Sequence, residues 1–399
     1  MKPLPAIINL LRSAALHLSL IITVLILSES CKKPGDPLKL PSPAPADTIG
    51  TENFEKLTAW KVYKTNHSTP YNLAVFGDSY VQGNYFTSLL RNKLLNDGNE
   101  DGGPGYCSFG RYDPTGLYSI DSSIDPEQLT FTYDPLKWTL NKERTVGPCG
   151  DVISAVANAT INVTATVPLD AVTIIFEQHP DAGDFRYRLN GGAWVTVSIS
   201  ADVQSTNTYT IETDKLGDKI AIEIESLSVG QRFCGVVGQR WGSFLTVDKA
   251  GMSGGVSVFF GQDYPWESAV EALAPNGAVI MFGTNEQLLN LDPESLTLNV
   301  QFMIDHLRHY NPACDIMLIS PPETKYATEE NHKYKLSQYA DAMHKLALAN
   351  NTAFIDFEKI FPKFTQSSVD QGLMNADRVH PGPKGGELIA QTIFTAFKK

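Results

Sequence analysis

Asn72-Leu73-Ala74-Val75-Phe76-Gly77-Asp78-Ser79-Tyr80 decides how the rest of the chain is read. An apolar run closed by glycine and aspartate has the form of a buried strand. The residues that follow place Phe86, Leu89, Leu90 and Leu94 on one side of a helix. Ser79 therefore falls at a strand-to-helix turn, where its hydroxyl can be exposed while its neighbours stay packed. A backbone N–H near a helix start can meet an oxyanion formed there, as a nucleophile requires. Gly-Asp-Ser alone also fits an ordinary turn.

Partners for such a serine occur far down the chain. Asp377-Arg378-Val379-His380 precedes the last helical stretch, in a loop with Pro381, Gly382 and Pro383. A histidine three residues after an aspartate can take the serine proton while the carboxylate orients the ring. Phe282-Gly283-Thr284-Asn285-Glu286 ends a buried strand, where the Asn285 amide can point at an oxyanion or cap the next helix. Val247-Asp248-Lys249-Ala250-Gly251 ends another, and Gly251 can present an N–H with no side chain in the way.

The texture between these pieces changes twice. Up to about residue 112 the chain reads as helix (Glu52 to His67), strand, helix, then the loop Asp101-Gly102-Gly103-Pro104-Gly105. From there the period becomes two. Ile161, Val163 and Ala165 alternate with polar residues, as do Val172, Ile174 and Phe176, then Phe185, Tyr187 and Leu189, and finally Ile220, Ile222 and Ile224. Asn190-Gly191 adds a hairpin signal. These are half-buried antiparallel strands of a β-sandwich or jelly roll. After about residue 240 short apolar strands (Phe244–Val247, Ala278–Phe282, Ile316–Ile319, Ala353–Ile355) alternate with helices (Leu296–Tyr310, His332–Ala349, Gly386–Phe397). That alternation implies a mostly parallel sheet covered on both faces. The simplest organisation is one α/β domain, residues 52–112 and 241–399, interrupted by a sandwich at 113–240. Because the insertion follows the nucleophile helix and precedes the Gly251 loop, both its junctions are expected near the site. Its aromatics Trp138, Tyr187 and Trp194 are candidates for stacking on sugar rings.

The chain has 399 residues, 42% of them hydrophobic, so a large core can be filled. A net charge of −12 argues against nucleic acid, whose phosphates need clustered Lys and Arg. At the N-terminus Lys2 and Arg12 lead into an apolar run, Ala14 to Leu27, and then Ser28-Glu29-Ser30-Cys31. The run is short for a membrane span and has the form of an export signal. A small residue before a lone cysteine resembles a bacterial lipoprotein processing site. Residues 1–31 are thus expected to be a signal peptide ending at a lipid-anchor Cys31, and the Pro-rich segment 32–51 a tether. Cys107, Cys149, Cys234 and Cys314 then allow disulfides, with Cys107–Cys149 the first pair to try. His306 and His309 lie three apart on an expected helix, a spacing that fits a solvated face better than a metal site.

Taken in order, Ser79, Gly251, Asn285 and the Asp377/His380 pair resemble the SGNH (GDSL-type) hydrolase family, with Tyr80 where the family name implies leucine. The inserted β module and the phrase Gly83-Asn84-Tyr85-Phe86-Thr87 make the chain most similar to the peptidoglycan O-acetylesterase branch. The resemblance implies a flavodoxin-like, three-layer α/β fold with an inserted jelly roll. It implies a serine esterase with Ser79, Asp377 and His380 as triad and the Ser79 N–H, Gly251 N–H and Asn285 amide as oxyanion hole. No metal or organic cofactor is implied. The expected activity is removal of O-acetyl groups from a polysaccharide. Its rivals are a lipase, arylesterase or acetyl-xylan-type esterase of the same fold, or a non-catalytic carbohydrate-binding lipoprotein.

Overall fold

The computed structural model describes residues 50–67, 69–111, 128–142, 147–156, 158–199, 201–213, 220–242, 244–260, 264–328 and 331–399. The expected signal peptide, Cys31 and nearly all of the tether lie outside them.

The strand read from the opening stretch, Tyr71–Gly77, is buried at every position. On one side it pairs in parallel with Leu245–Gly251, and on the other with Gly277–Met281, followed outward by Asp315–Ser320 and Ala353–Asp356. Numbered by order in the chain, these five parallel strands run 2-1-3-4-5, the flavodoxin-like arrangement. Thr51–Glu52 adds a short antiparallel edge. Alternate residues of the central strand enter different cores. Ala74 and Phe76 pack with Val300, Ile304 and Met343 from helices Pro293–Tyr310 and Leu336–Asn350. Leu73 and Val75 pack with Trp60, Leu90 and Ile389 from helices Thr58–Asn66, Thr87–Asn96 and Pro383–Phe397. A strand covered on both faces needs apolar residues at successive positions, hence the unbroken run in the sequence.

The first helix is shorter than its sequence suggested, starting at Thr58, because the chain first makes the edge strand and a short 3₁₀ turn, Phe54–Lys56. Its opening N–H groups are satisfied from across the fold. Asp315 accepts from Ala59 N at 3.0 Å, Trp60 N at 2.7 Å and the Tyr71 hydroxyl at 3.1 Å.

The inserted module has two antiparallel sheets. One contains Leu129–Tyr133, Thr160–Ala165, Ile220–Ser226, Phe185–Leu189 and Val195–Val197; the other contains Trp138–Lys142, Asp151–Ala155, Arg232–Gln239, Ala171–Gln178 and Ser205–Glu212. Gly105–Ser108 pairs with Arg232–Gln239, so the sandwich already begins at residue 105. Ile161, Val163, Ile174, Phe185 and Ile222 fill its core. Strand Ala171–Gln178 is not half-buried as its alternation suggested, since seven of its eight residues are buried. Its other face is covered by the hydrolase: Tyr106, Cys149, Ile175, Cys234 and Val237 share one core with Phe76 and Trp266.

Three expectations are corrected here. The neck of the insertion lies at the amino end of strand Leu245–Gly251, away from Ser79. There Gly102 N donates to Leu245 O, Leu245 N to Glu100 O and Arg240 N to Gly102 O. From the neck, Gly105–Ser108 climbs along the strand, and only then does Gly110 reach Gln82. Of the three aromatics, Trp138 is withdrawn into the core, while Tyr187 and Trp194 stay half-exposed. Trp138 is buried against Tyr133 and Phe233, Tyr187 packs on Tyr209, and Trp194 lies over the Arg186 and Arg188 guanidinium groups. Finally, Cys107 faces the sandwich core, whereas Cys149 faces the shared core and sits 3.5 Å from the Tyr106 hydroxyl. Tyr106 and Cys107 point to opposite faces of their strand, so Cys107 and Cys149 are not placed to pair.

Asp248 is buried beneath the Gly105 turn and accepts from Tyr106 N at 2.8 Å. Burial pushes its carboxyl up to about 7, against the Tyr106 hydrogen bond that lowers it. An acid raised by folding contributes stability that is full below the ordinary carboxylate range and is lost as pH rises through the folded value. Asp248→Asn is therefore expected to flatten the fall in unfolding free energy between pH 5 and 8, by up to about 3 kcal/mol. Urea titrations at the two pH values check this; an unchanged difference would refute it.

Candidate active site

Ser79 follows the central strand and Asn285 follows its neighbour Gly277–Met281, so both sit where the order of the strands reverses. That reversal opens a crevice at the carboxyl ends of the strands. Asp78 caps the turn, its Oδ1 accepting from Tyr80 N at 2.9 Å, and Ser79 opens the short helix Ser79–Gln82 with 7% of its surface exposed.

His380 reaches Ser79 from the loop before the last helix. Its Nε2 lies 2.8 Å from Ser79 Oγ, and its Nδ1 lies 2.7 Å from Asp377 Oδ2. With the proton on Nδ1 donated to the carboxylate, Nε2 is an acceptor facing the serine hydroxyl. The Asp377 Oδ1 atom meanwhile accepts from the Val379 and His380 N–H groups, each at 2.9 Å. Arg378, at φ 68°, makes the left-handed turn that brings both N–H groups back to it. One carboxylate thus builds the loop and orients the ring. Partial burial pushes Asp377 up, but the His380 hydrogen bond and the two backbone donors outweigh it and bring the carboxyl down to about 2. It is therefore ionised at any pH at which the protein would work.

Tyr80, the departure from the leucine of the family name, is fully buried, and its hydroxyl donates to Val379 O at 2.6 Å. This ties the nucleophile turn directly to the histidine loop. Sequence reading gave this residue no role.

Asn285 Nδ2 donates to Gly255 O at 2.9 Å and to Asp78 Oδ2 at 3.3 Å. Glu286 joins the same two loops, accepting from Ser257 N at 2.7 Å and Gly283 N at 2.9 Å. Burial raises both acids. Asp78 is pushed up to about 7, helped by the nearby Glu286 and opposed by its Tyr80 hydrogen bond and by His380.

Gly251 stands differently from its expected role. Met252 N donates to Gly77 O, and in a parallel ladder this turns the Gly251 N–H to the other edge of the strand, away from the nucleophile turn. What Gly251 provides is closeness: a Cβ there would lie 2.8 Å from Asp78 O and would overlap Gln82 N. Ser253 N is engaged by Gln82 Oε1 at 2.5 Å. Gly254, at φ 69°, is the exposed glycine of this loop, with nothing within 4 Å of a would-be Cβ. Among the described residues no group of three or more His, Cys, Asp or Glu is placed to hold a metal ion.

An α/β sheet of this order, with a serine, histidine and aspartate in one hydrogen-bonded chain, defines a serine hydrolase. The family model described as the GDSL-like lipase/acylhydrolase family matches residues 213–388. Over that span the chain is similar to these SGNH-type hydrolases, and the serine, histidine and aspartate at the crevice are the equipment of a carboxylic ester hydrolase. The matched span contains Gly251, Asn285, Asp377 and His380; Ser79 lies before it, on the far side of the insertion. A solved structure titled as a peptidoglycan O-acetylesterase in action shares the fold, at a TM-score of 0.64 and 17% identity over 87% of this chain and 95% of that one. Weaker likenesses include a putative GDSL-like lipase from Parabacteroides merdae (TM-score 0.33, 20% identity, 39% of this chain and 73% of that one). A family two carbohydrate esterase from Clostridium thermocellum with cellohexaose is another (TM-score 0.31, 12% identity, 67% and 98%). No curated protein matches.

Gly251→Ala should press the new methyl into the nucleophile turn. The expected result is a loss of about 1–3 kcal/mol of stability, as for overpacking elsewhere, together with slower ester hydrolysis. Thermal melts and p-nitrophenyl acetate turnover measure both; a variant with wild-type stability and rate would refute the packing role.

Proposed function

We propose that this hydrolase removes O-acetyl groups from a cell-envelope polysaccharide of the peptidoglycan type. The observation that carries the chemistry is the chain Ser79 Oγ–His380–Asp377, with links of 2.8 and 2.7 Å. Ser79 Oγ gives its proton to His380 Nε2 and attacks the acetyl carbonyl carbon. The carbonyl oxygen, now negative, is held by the Ser79 N–H, the Asn285 amide and a backbone donor of the Gly251–Gly255 loop. The Asn285 contact to Asp78, at 3.3 Å, is the weaker of its two and the one an oxyanion would displace. The C–O bond to the sugar breaks, and His380 hands its proton to the departing hydroxyl. Water, deprotonated by the same nitrogen, then attacks the acetyl-serine; the C–Oγ bond breaks, His380 returns the proton to Ser79 Oγ, and acetate leaves. The fold likeness to a peptidoglycan O-acetylesterase supports the choice of substrate, because it spans the hydrolase and the inserted module together.

Incubating acetylated peptidoglycan, acetylated xylan and octanoyl aryl esters with the enzyme tests the reading. Acetate release is expected from peptidoglycan first, and Ser79→Ala or His380→Ala should cut it by several orders of magnitude. A preference for octanoyl esters would instead indicate an acylhydrolase. A Ser79→Ala protein keeping a tenth of the rate would remove Ser79 from the mechanism.

The chain is further proposed to be exported and held at the membrane, facing periplasm or cell surface, through a lipid on Cys31 and the Pro-rich segment behind it. Cys31→Ala is expected to shift the protein out of the membrane fraction of fractionated cells. Unchanged partition would exclude the anchor.

A further inference from the structure

One ring at the site has no part in the steps above. Tyr85 lies face to face with the His380 imidazole, the centroids 5.1 Å apart and the planes 14° from parallel. Its placement is fixed from several sides. Asn84, at φ 59°, turns the chain, and its Oδ1 accepts from Thr87 Oγ1, Ser88 N and Ser88 Oγ at 2.6–2.9 Å. Tyr85 N donates to Tyr80 O, and the Tyr80 ring stands edge-on to Tyr85. The Tyr85 carbonyl abuts Gly386 of the last helix so closely that any side chain there would overlap it. The last helix, which follows the histidine loop, is thus seated on the Tyr85 backbone while the Tyr85 ring meets the imidazole.

We propose that Tyr85 is a positioning residue for His380: its ring holds the imidazole in the plane that reaches both Ser79 and Asp377, and its face stabilises the imidazolium formed when Ser79 loses its proton. A cation over an aromatic face within about 6 Å is attracted by the ring quadrupole. The other groups around His380 are Asp377 on its own loop, and Asp78, Ser79 and Tyr80 on the nucleophile turn. Glu286 lies near Asp78, and Tyr326 near Tyr80. Tyr85 presents a neutral ring stacked face to face with the imidazole, where Tyr80 is tilted, so it can steady the charged ring without adding a second anion. The proposal rests on reading His380 as the base.

The test is the pH dependence of kcat/KM for p-nitrophenyl acetate in Tyr85→Phe, Tyr85→Leu and His380→Ala. Tyr85→Phe keeps the ring and should stay within about twofold of wild type, with its acidic limb unmoved. Tyr85→Leu should lose about tenfold and move that limb down by roughly half a unit, with an unchanged melting temperature. Should Tyr85→Leu not fold, Tyr85→Met, flexible and of similar bulk, carries the same expectation. A leucine or methionine variant with the wild-type rate and limb, beside an inactive His380→Ala, overturns the role of Tyr85 and leaves His380 as the base. Equal losses in the phenylalanine and leucine variants overturn it too, since the hydroxyl would then be what matters. An active His380→Ala overturns the underlying reading and this proposal with it.

Discussion

Everything in this fold depends on the pairing of strand Tyr71–Gly77 with strands from much later in the chain, Leu245–Gly251 on one side and Gly277–Met281 on the other. With two flanking strands and two helical layers, its residues have no route to water. Its middle, Leu73 to Phe76, is accordingly apolar, and polar groups within the sheet, such as Asn72 and Asp248, are kept only with hydrogen-bond partners. Beyond the carboxyl end that constraint relaxes, and Asp78, Ser79 and, from the neighbouring strand, Asn285 and Glu286 collect there. Catalytic position and core position are thus two consequences of one burial pattern.

Carboxylates do much of the assembly around that point. Asp377 organises a loop and a ring, Glu286 ties two loops together, Asp78 caps the serine turn and Asp315 caps a helix from across the sheet. They respond differently to their surroundings. Asp377 keeps a cationic or hydrogen-bonding partner and is held low, whereas Asp78, Glu286 and Asp315 are raised mainly by burial. The same carboxyl group serves as permanent anion in one place and as a buried acceptor with a raised pKa in another, according to how much water and positive charge it retains.

The sequence made legible whatever is encoded locally. The apolar run before Ser79, the spacing of Asp377 and His380, the period-two strands and the Asn190-Gly191 turn each carry their own physics. Features that depend on distant neighbours were hidden. Helix Thr58–Asn66 has no capping side chain of its own, because Asp315 supplies it. Strand Arg232–Gln239 shows no alternation: it is buried on both faces and interrupted by a bulge at Cys234. Gly251 read as an oxyanion donor because motif order fixes residue type and not the direction of an N–H; strand register turned it away. Trp138 read as a sugar platform because burial cannot be seen in a residue name.

The neck of the insertion has a consequence for how the chain can assemble. The hydrolase must bring together strands separated by the whole sandwich, and closing a long loop costs conformational entropy that grows with its length, by about 0.6 kcal/mol for each doubling. At the neck, Gly102 is hydrogen-bonded to both Arg240 and Leu245. Once the module has formed, the two chain ends it delivers are neighbours, and the central strand meets its partner across a few residues instead of the full insertion. The inserted module thus serves as a splint that makes a discontinuous domain behave as a nearly continuous one.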